Sequence, residues 1–241
     1  MGRAKEIIVK VIPSKIANEF VKNNHYSGKV VQNSSLHFGC FLDDKLHGVM
    51  SYGSPLDKRK VLPLVQPSLW NEMLELNRMA FDSYLPKYSE SRCIAISIKL
   101  LKKNAPHIKW ILSFADSTQC GDGTIYRASG FQLSSIKENS SLLMFPSGDI
   151  IAAMTIEANF TLPIIKKQSS FLNIEHKYRT RTEWIKLGAK KLKGFQLRYI
   201  YVINKTCKIT VPILPFSKID EMGAGMYKGK KITLAERNMR I

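Results

Sequence analysis

Apolar and polar positions change period several times along this chain, and each change predicts an element. Residues 6–13, EIIVKVIP, alternate and predict a strand. In SKIANEFVKNNHYSG the positions Ile16, Phe20 and Val21 share one helical face, with Ser14 at the start and Gly28 as the stop. SSLHFGCFLDDKLHGVMSYGSP reads as two strands joined at Asp43-Asp44-Lys45. LWNEMLELNRMAFD is helix-forming by composition, yet Met73, Glu75, Asn77 and Met79 alternate with Leu74, Leu76, Arg78 and Ala80, which allows a strand over 72–81. SESRCIAISIKLLKKN predicts a helix over 89–104 with Ile94, Ile98 and Leu101 inward and lysines at its end. IKWILSFADS is a buried strand, GTIYRASGF supplies a short helix stopped by Gly130, and the segment after it supplies strands turning at Asn139-Ser140 and over 146–149.

Beyond about Asn159 the pattern changes. HKYRTRTEWIKLGAKKLKG is basic with interleaved Tyr178 and Trp184, FQLRYIYVINKTCKITVPILPF predicts a hairpin turning over 204–206, and GAGMYKGKK is glycine-rich and basic. The division expected is a core over residues 1–160 and a basic extension over 161–241 packed on it. Charge supports that division. The whole chain carries 37 Lys/Arg against 19 Asp/Glu, of which 18 and 5 lie from Thr161 onward. An excess of this size points first to nucleic acid. Phosphate contacts are expected from Lys177, Arg179, Arg181, Lys190, Lys191 and Lys193, with Tyr178 or Trp184 stacking on a base or filling its gap.

No run of about 18 apolar residues occurs, so no membrane-spanning helix is expected. The start MGRAKEIIVKVIPSK lacks the apolar stretch of a secretory signal. Cys40, Cys93, Cys120 and Cys207 are scattered without a CxxC pair, which speaks for reduced thiols in a cytosol.

Several residues carry candidate chemistry. Asp116 ends a buried strand, where it fits a proton acceptor, a partner for His25, a metal ligand or a capping acid. Asp122 fits the cap better. Arg78 is unsuited to a core without a partner, so contact with a phosphate or substrate, or pairing with Glu90 or Asp116, is expected. Ser89 and Ser91 flank Glu90 at a helix start, where they fit caps or an anion site. Gly121 and Gly123 before Thr124 resemble a phosphate loop, but match neither a dinucleotide fingerprint nor a P-loop.

The order strand, helix, two strands, strand, helix, strand, helix, strand resembles that of the GNAT acyltransferases, and GTIYRASGF resembles their A-x-x-L-Y-x-x-x-G-F turn. NHYSG, LELNRMAF, SES and FADSTQCGDGTIYRASGF together resemble the Mom DNA-modification proteins of bacteriophages, a GNAT-derived family. That resemblance implies an α/β (α+β) fold with a mainly antiparallel central sheet flanked by helices, carrying here a basic C-terminal extension with a β-hairpin. It implies conversion of the adenine N6 amine in double-stranded DNA to a carbamoylmethyl form, in the bacterial cytoplasm, protecting phage DNA from restriction. It places His25, beside Tyr26, in the active site as general base or metal ligand, and gives Tyr126 either the role of general acid or that of a core tyrosine. It implies acetyl-CoA with iron, for which His25, Asp116 and Tyr126 are the candidate ligands.

Two chemical problems stand beside that implication. The junction FDSYLPKYSESRC lacks the glycines with which GNATs bind coenzyme A pyrophosphate. Attack of N6 on an acetyl thioester also yields an acetamide rather than a carbamoylmethyl amine. A glycyl donor such as glycyl-tRNA supplies the right atoms, after a rearrangement. An adenine in a duplex would first have to be flipped out. The rival expectations are a GNAT acting on tRNA, protein or a small molecule, and a non-enzymatic DNA-binding protein on a GNAT core.

Overall fold

The computed structural model describes residues 3–118, 121–227 and 230–231. The chain opens with β1 (Ile8–Val11), α1 (Ser14–Asn24), β2 (Ser34–Leu42) and β3 (Lys45–Gly53). Asp43 and Asp44 both adopt positive φ, 51° and 60°, the pair of values a two-residue hairpin turn requires, so the expected turn is observed. After a short α2 (Lys58–Val61) and β4 (Val65–Gln66) come β5 (Met73–Phe81), α3 (Ser89–Asn104), β6 (Trp110–Asp116), α4 (Thr124–Ala128) and β7 (Gln132–Glu138). The ambiguous segment 72–81 is therefore a strand, and α3 has the bounds its periodicity predicts.

Seven strands form the central sheet in the order β1-β2-β3-β5-β6-β11-β7, where β11 is Phe195–Val202. All neighbours are antiparallel except β5 and β6. Alternation sends Val49 and Ala80 to one face, under Ala17 and Val21 of α1. Met50, Tyr52 and Leu76 go to the other, under Cys93, Ile94, Ile98 and Leu101 of α3. The parallel pairing of β5 with β6 covers only Met73–Leu76 against Trp110–Ser113, and beyond it the two strands splay. The Ser113 hydroxyl donates to the Leu76 carbonyl (2.9 Å) at that point.

The C-terminal third departs from the expected layout. The hairpin expected over 195–216 does not form as such: β11 lies between β6 and β7, and β12 (Lys208–Ile209) pairs with β4 instead. Leu197, Tyr199 and Ile200 are fully buried, so β11 is core sheet and not part of an appendage. An antiparallel pair does occur later, β13 (Met226–Tyr227) with β14 (Lys230–Lys231), after α8 (Ser217–Glu221).

Between β7 and β11 the chain leaves the sheet. β8 (Leu142–Met144), β9 (Ile150–Ala152), α5 (Ala153–Ala158), α6 (Pro163–Phe171), α7 (Arg181–Lys186) and β10 (Lys190–Lys191) form a small body with its own sheet, β10-β8-β9. The turn at Asn139-Ser140 thus leads out of the main sheet, while the turn over 146–149 joins paired strands, β8 and β9. Leu143, Phe145, Ile151, Ile156, Ile165, Trp184 and Ala189 make a separate core there. Ile156 and Ile165 share it, so a division at residue 160 runs through one core. Thr180 and Glu183 close a capping box on α7.

Candidate functional site

The irregular middle of β5 arranges the site. Ser51 pairs with Arg78 and Tyr52 with Leu76, which leaves Asn77 as the extra residue of a β-bulge. Simple alternation would put Glu75 and Arg78 on opposite faces. The bulge puts both on the α1 face, with Ser51 and Gly53 as their partners across the ladder. Burial raises the Glu75 carboxyl to about 7, against the opposing pull of Arg78. Sequence reasoning passed over Glu75, although an acid among apolar strand residues was the available signal.

His25 follows α1 on the same face. Burial, then the Arg78 charge, lowers its pKa to about 4. Ser27 donates to Nδ1 from its backbone N–H (3.1 Å) and lies within 2.8 Å through its hydroxyl. Those partners leave the proton of the neutral ring on Nε2. So placed, the neutral His25 ring offers its Nε2–H as a donor, where the sequence expectation is a general base or a metal ligand. Tyr26 stands beside it, ring centroids 4.2 Å apart, with its own ring half exposed. Lys29, lowered by burial and then by Arg78, donates to the Thr155 hydroxyl of α5, which ties the small body to the rim of this face.

Asp116 ends β6 with its carboxyl raised by burial, an effect offset by bonding to Thr118, whose backbone N–H donates at 3.1 Å. Alternation turns Asp116 to the side of Trp110, Leu112 and Phe114, which is the side of Glu75. Tyr126 lies on the other side. Its ring packs against Tyr199 (5.4 Å) and Phe131 (5.5 Å) in the core beneath α3. The structure thus gathers His25, Glu75, Arg78 and Asp116 on one face and sets Tyr126 apart from them. Four ionisable groups on one face, His25, Lys29, Glu75 and Asp116, are all displaced toward their neutral forms, a pattern that functional sites concentrate.

The turn into α3 is built differently. Tyr88, at φ 70°, precedes the helix. Ser89 is buried and donates to the Pro86 carbonyl (2.5 Å), and Ser91 donates to Tyr88 (3.2 Å), so neither hydroxyl caps the helix. Glu90 sits between them in the first turn.

At the start of α4, Asp122 accepts from the Thr124 N–H (3.1 Å) and hydroxyl (2.6 Å), the capping role expected of it. Gly121 and Gly123 both have positive φ, 98° and 76°. A Cβ at Gly123 would lie 2.5 Å from the Tyr199 ring, whereas one at Gly121 meets nothing. These glycines therefore serve the turn. Gly123→Ala is expected to destabilise the protein by about 1–3 kcal/mol, well beyond Gly121→Ala. Equal melting temperatures for the two variants would refute the contact with Tyr199. Gln119 and Cys120 lie outside the described residues.

The basic residues sort by burial. Trp184, expected to meet a base, is 1% exposed inside the small core, with Phe145 edge-on at 5.1 Å. Arg179 is buried over its ring (5.4 Å), and the half-buried Arg181 donates to the Ser140 carbonyl. Lys177 pairs with Glu175 (3.1 Å). Tyr178 is half exposed, and Lys190, Lys191 and Lys193 are exposed. Among the described residues, no helix is long and apolar enough to cross a membrane. Cys40, Cys93 and Cys207 are free and buried.

The sequence model of the Mom protein family matches residues 6–218. The chain belongs to the Mom family. A Mom relative, the protein named methylcarbamoylase mom of Escherichia phage Mu, is 36% identical over 129 residues, covering 53% of each chain. The chain thus spans about half the length of the curated relative it matches. Among solved structures, a Bacillus subtilis acetyltransferase in complex with CoA is 10% identical at a TM-score of 0.42, covering 81% of this chain and 98% of that one. The ribosomal-protein-S18-alanine N-acetyltransferase of Escherichia coli is 9% identical at 0.44, covering 82% and 94%.

Two groups that the family resemblance implies can be tested against this Mom-family fold. Iron does not fit: His25 has Nδ1 occupied by Ser27, Tyr126 lies across the sheet, and among the described residues no three His, Cys, Asp or Glu side chains gather as ligands. At the turn into α3, where the resemblance implies coenzyme A, the chain carries no glycine and Tyr88 holds the left-handed position.

Proposed function

We propose that this Mom-family chain is a transferase that modifies the N6 amine of adenine in DNA, leaving a carbamoylmethyl group that hinders restriction nucleases. The observation that carries it is Glu75, a carboxyl held near 7 beside Arg78 on the face that also bears His25 and Asp116. A base poised near neutrality suits N6, whose lone pair is delocalised into the ring. Glu75 takes a proton from N6 as the nitrogen attacks an acyl carbonyl. The carbonyl electrons move to oxygen, then return and expel the leaving group, which receives the proton. His25, as an Nε2–H donor, steadies the oxyanion. Arg78 holds a DNA phosphate or the donor.

With a glycyl donor, the first product is N6–CO–CH2–NH2. Its amine attacks C6, the bond from C6 to the original nitrogen breaks, and the isomer C6–NH–CH2–CO–NH2 results without oxidant or reductant. A glycyl ester suits a fold whose α3 turn offers no pyrophosphate cradle. The target adenine is flipped from the duplex, and the exposed Lys190, Lys191 and Lys193 of the small body contribute to phosphate contact.

The test is co-expression with a plasmid, digestion to nucleosides and mass spectrometry. Deoxyadenosine heavier by a carbamoylmethyl group, labelled when labelled glycine is fed, is expected. Unmodified deoxyadenosine throughout would sink the activity; modification without label would sink the glycyl route alone.

A further inference from the structure

A second basic surface lies outside the C-terminal extension, on the loops around α2. Here KRK, residues 58–60, stands against one acid, Asp57, which pairs with Lys60 (2.9 Å). Beside it three large apolar side chains are exposed: Leu56 at 86%, Leu69 at 69% and Trp70 at 48%. Leu56 and Trp70, with Ser54 and Pro55, border an open cleft of about 410 Å³. Single exposed apolar residues are ordinary, but three together beside cations mark an interface.

The surface is rigid. The Trp110 indole N–H donates to Ser68 (2.8 Å), the Leu69 N–H donates to Glu72 (2.8 Å), and Glu72 pairs with Lys109 (2.8 Å). Lys58 sits 5.1 Å from the centre of the Trp70 ring and donates to the Trp70 carbonyl (3.3 Å). A cation on one side orders the indole while leaving it half exposed. The cleft also adjoins the candidate site. Its wall begins at Ser54, whose carbonyl is held by Asn33, and the preceding Gly53 is the ladder partner of Glu75.

We propose that this surface is a second DNA contact, at which an unpaired nucleotide of the substrate strand stacks on Trp70 while Lys58 and Arg59 meet its phosphates. It rests on the adenine-modifying function above. An exposed indole with Lys58 on one side and Arg59 in the same cleft matches single-stranded nucleic acid, whose bases offer a stacking face and whose backbone offers charge. An acidic protein segment would use the cations and leave the indole idle.

The test uses the full chain and a 12-nucleotide single-stranded DNA with a terminal fluorophore, whose anisotropy reads the affinity of every variant while tryptophan fluorescence of the parent reads contact with Trp70. Trp110 and Trp184 are buried, so quenching reports Trp70. The parent is expected to show the quench, Trp70→Ala to weaken affinity about tenfold, and Trp70→Phe to keep most of the affinity. Arg59→Gln, an exposed change that spares the fold, is expected to reduce the salt dependence of binding by about one phosphate contact. An affinity within twofold of the parent for Trp70→Ala would overturn the proposal, as would tighter binding of RNA of the same sequence. Binding is read without turnover. Intact quenching without modified adenine therefore counts against the adenine reading alone, and modification without quenching against the Trp70 contact alone.

Discussion

Glu75→Gln is expected to reduce adenine modification by about 10²–10⁴-fold, the usual contribution of a general base, and at the same time to stabilise the protein above neutral pH. Both effects come from one carboxyl. In the unfolded chain it ionises near 4.5, and in the folded protein near 7, because burial outweighs the nearby Arg78 charge. The folded state therefore holds the proton more tightly. Its stability advantage is complete below 4.5 and is lost as pH rises through 7. By pH 8 the deficit is on the order of 3 kcal/mol, which glutamine, carrying no charge, does not incur. Melting temperatures measured at pH 5 and pH 8 should converge for Glu75→Gln and diverge for the parent. The parent's pH–rate profile should rise through an inflection near 7. A variant that keeps its activity with an unchanged profile would remove Glu75 from the chemistry, whatever its stability.

That prediction rests on a residue the sequence offered in plain view. The alternation in LELNRMAF was legible and gave β5 correctly. Its bulge was not, because the register slip depends on pairing with β3, a contact made only in the folded sheet. Without the slip, Glu75 and Arg78 belong to opposite faces and no site suggests itself. His25 and Asp116 were legible as candidates because each stands at the end of an element, where a polar side chain has no packing reason to be. Tyr126 carried the opposite ambiguity. Its motif predicts a short helix, and the helix forms, but helix position alone did not say that its ring would pack against Tyr199. The partner comes from β11, a strand far away in sequence that composition had assigned to the extension.

The same long-range effect explains the misplaced boundary. Charge density changes near residue 160, but charge reports what faces solvent and not which strands pair. A basic surface can belong to an inserted body whose flanking strands, β7 and β11, are neighbours in one sheet. The insertion carries its lysines on a body between two strands of the main sheet instead of at the end of a tail, and Lys29 bonds to Thr155 of that body.

Trp184→Ala is expected to unfold the small inserted body while the seven-stranded sheet persists. The indole is the largest side chain of its core and is almost wholly enclosed, so truncation costs about 3–5 kcal/mol. A body of this size has little stability to lose, and Arg179 would lose the ring it lies over. The main sheet has an independent core and keeps Tyr199 and Leu197 buried. Hydrogen exchange should therefore accelerate across residues 142–191 and stay slow in β3, β5 and β6. DNA affinity should fall with it, because β10, which carries Lys190 and Lys191, pairs with β8 and follows Ala189, whose N–H donates to the Trp184 carbonyl. Trp184→Phe separates this role from base stacking. The indole N–H has no hydrogen-bond partner, so phenylalanine removes a buried unsatisfied donor and keeps most of the packing. It should preserve both slow exchange and DNA binding. Were Trp184 a stacking residue, alanine would weaken binding with exchange unchanged, and that result would return it to the DNA interface.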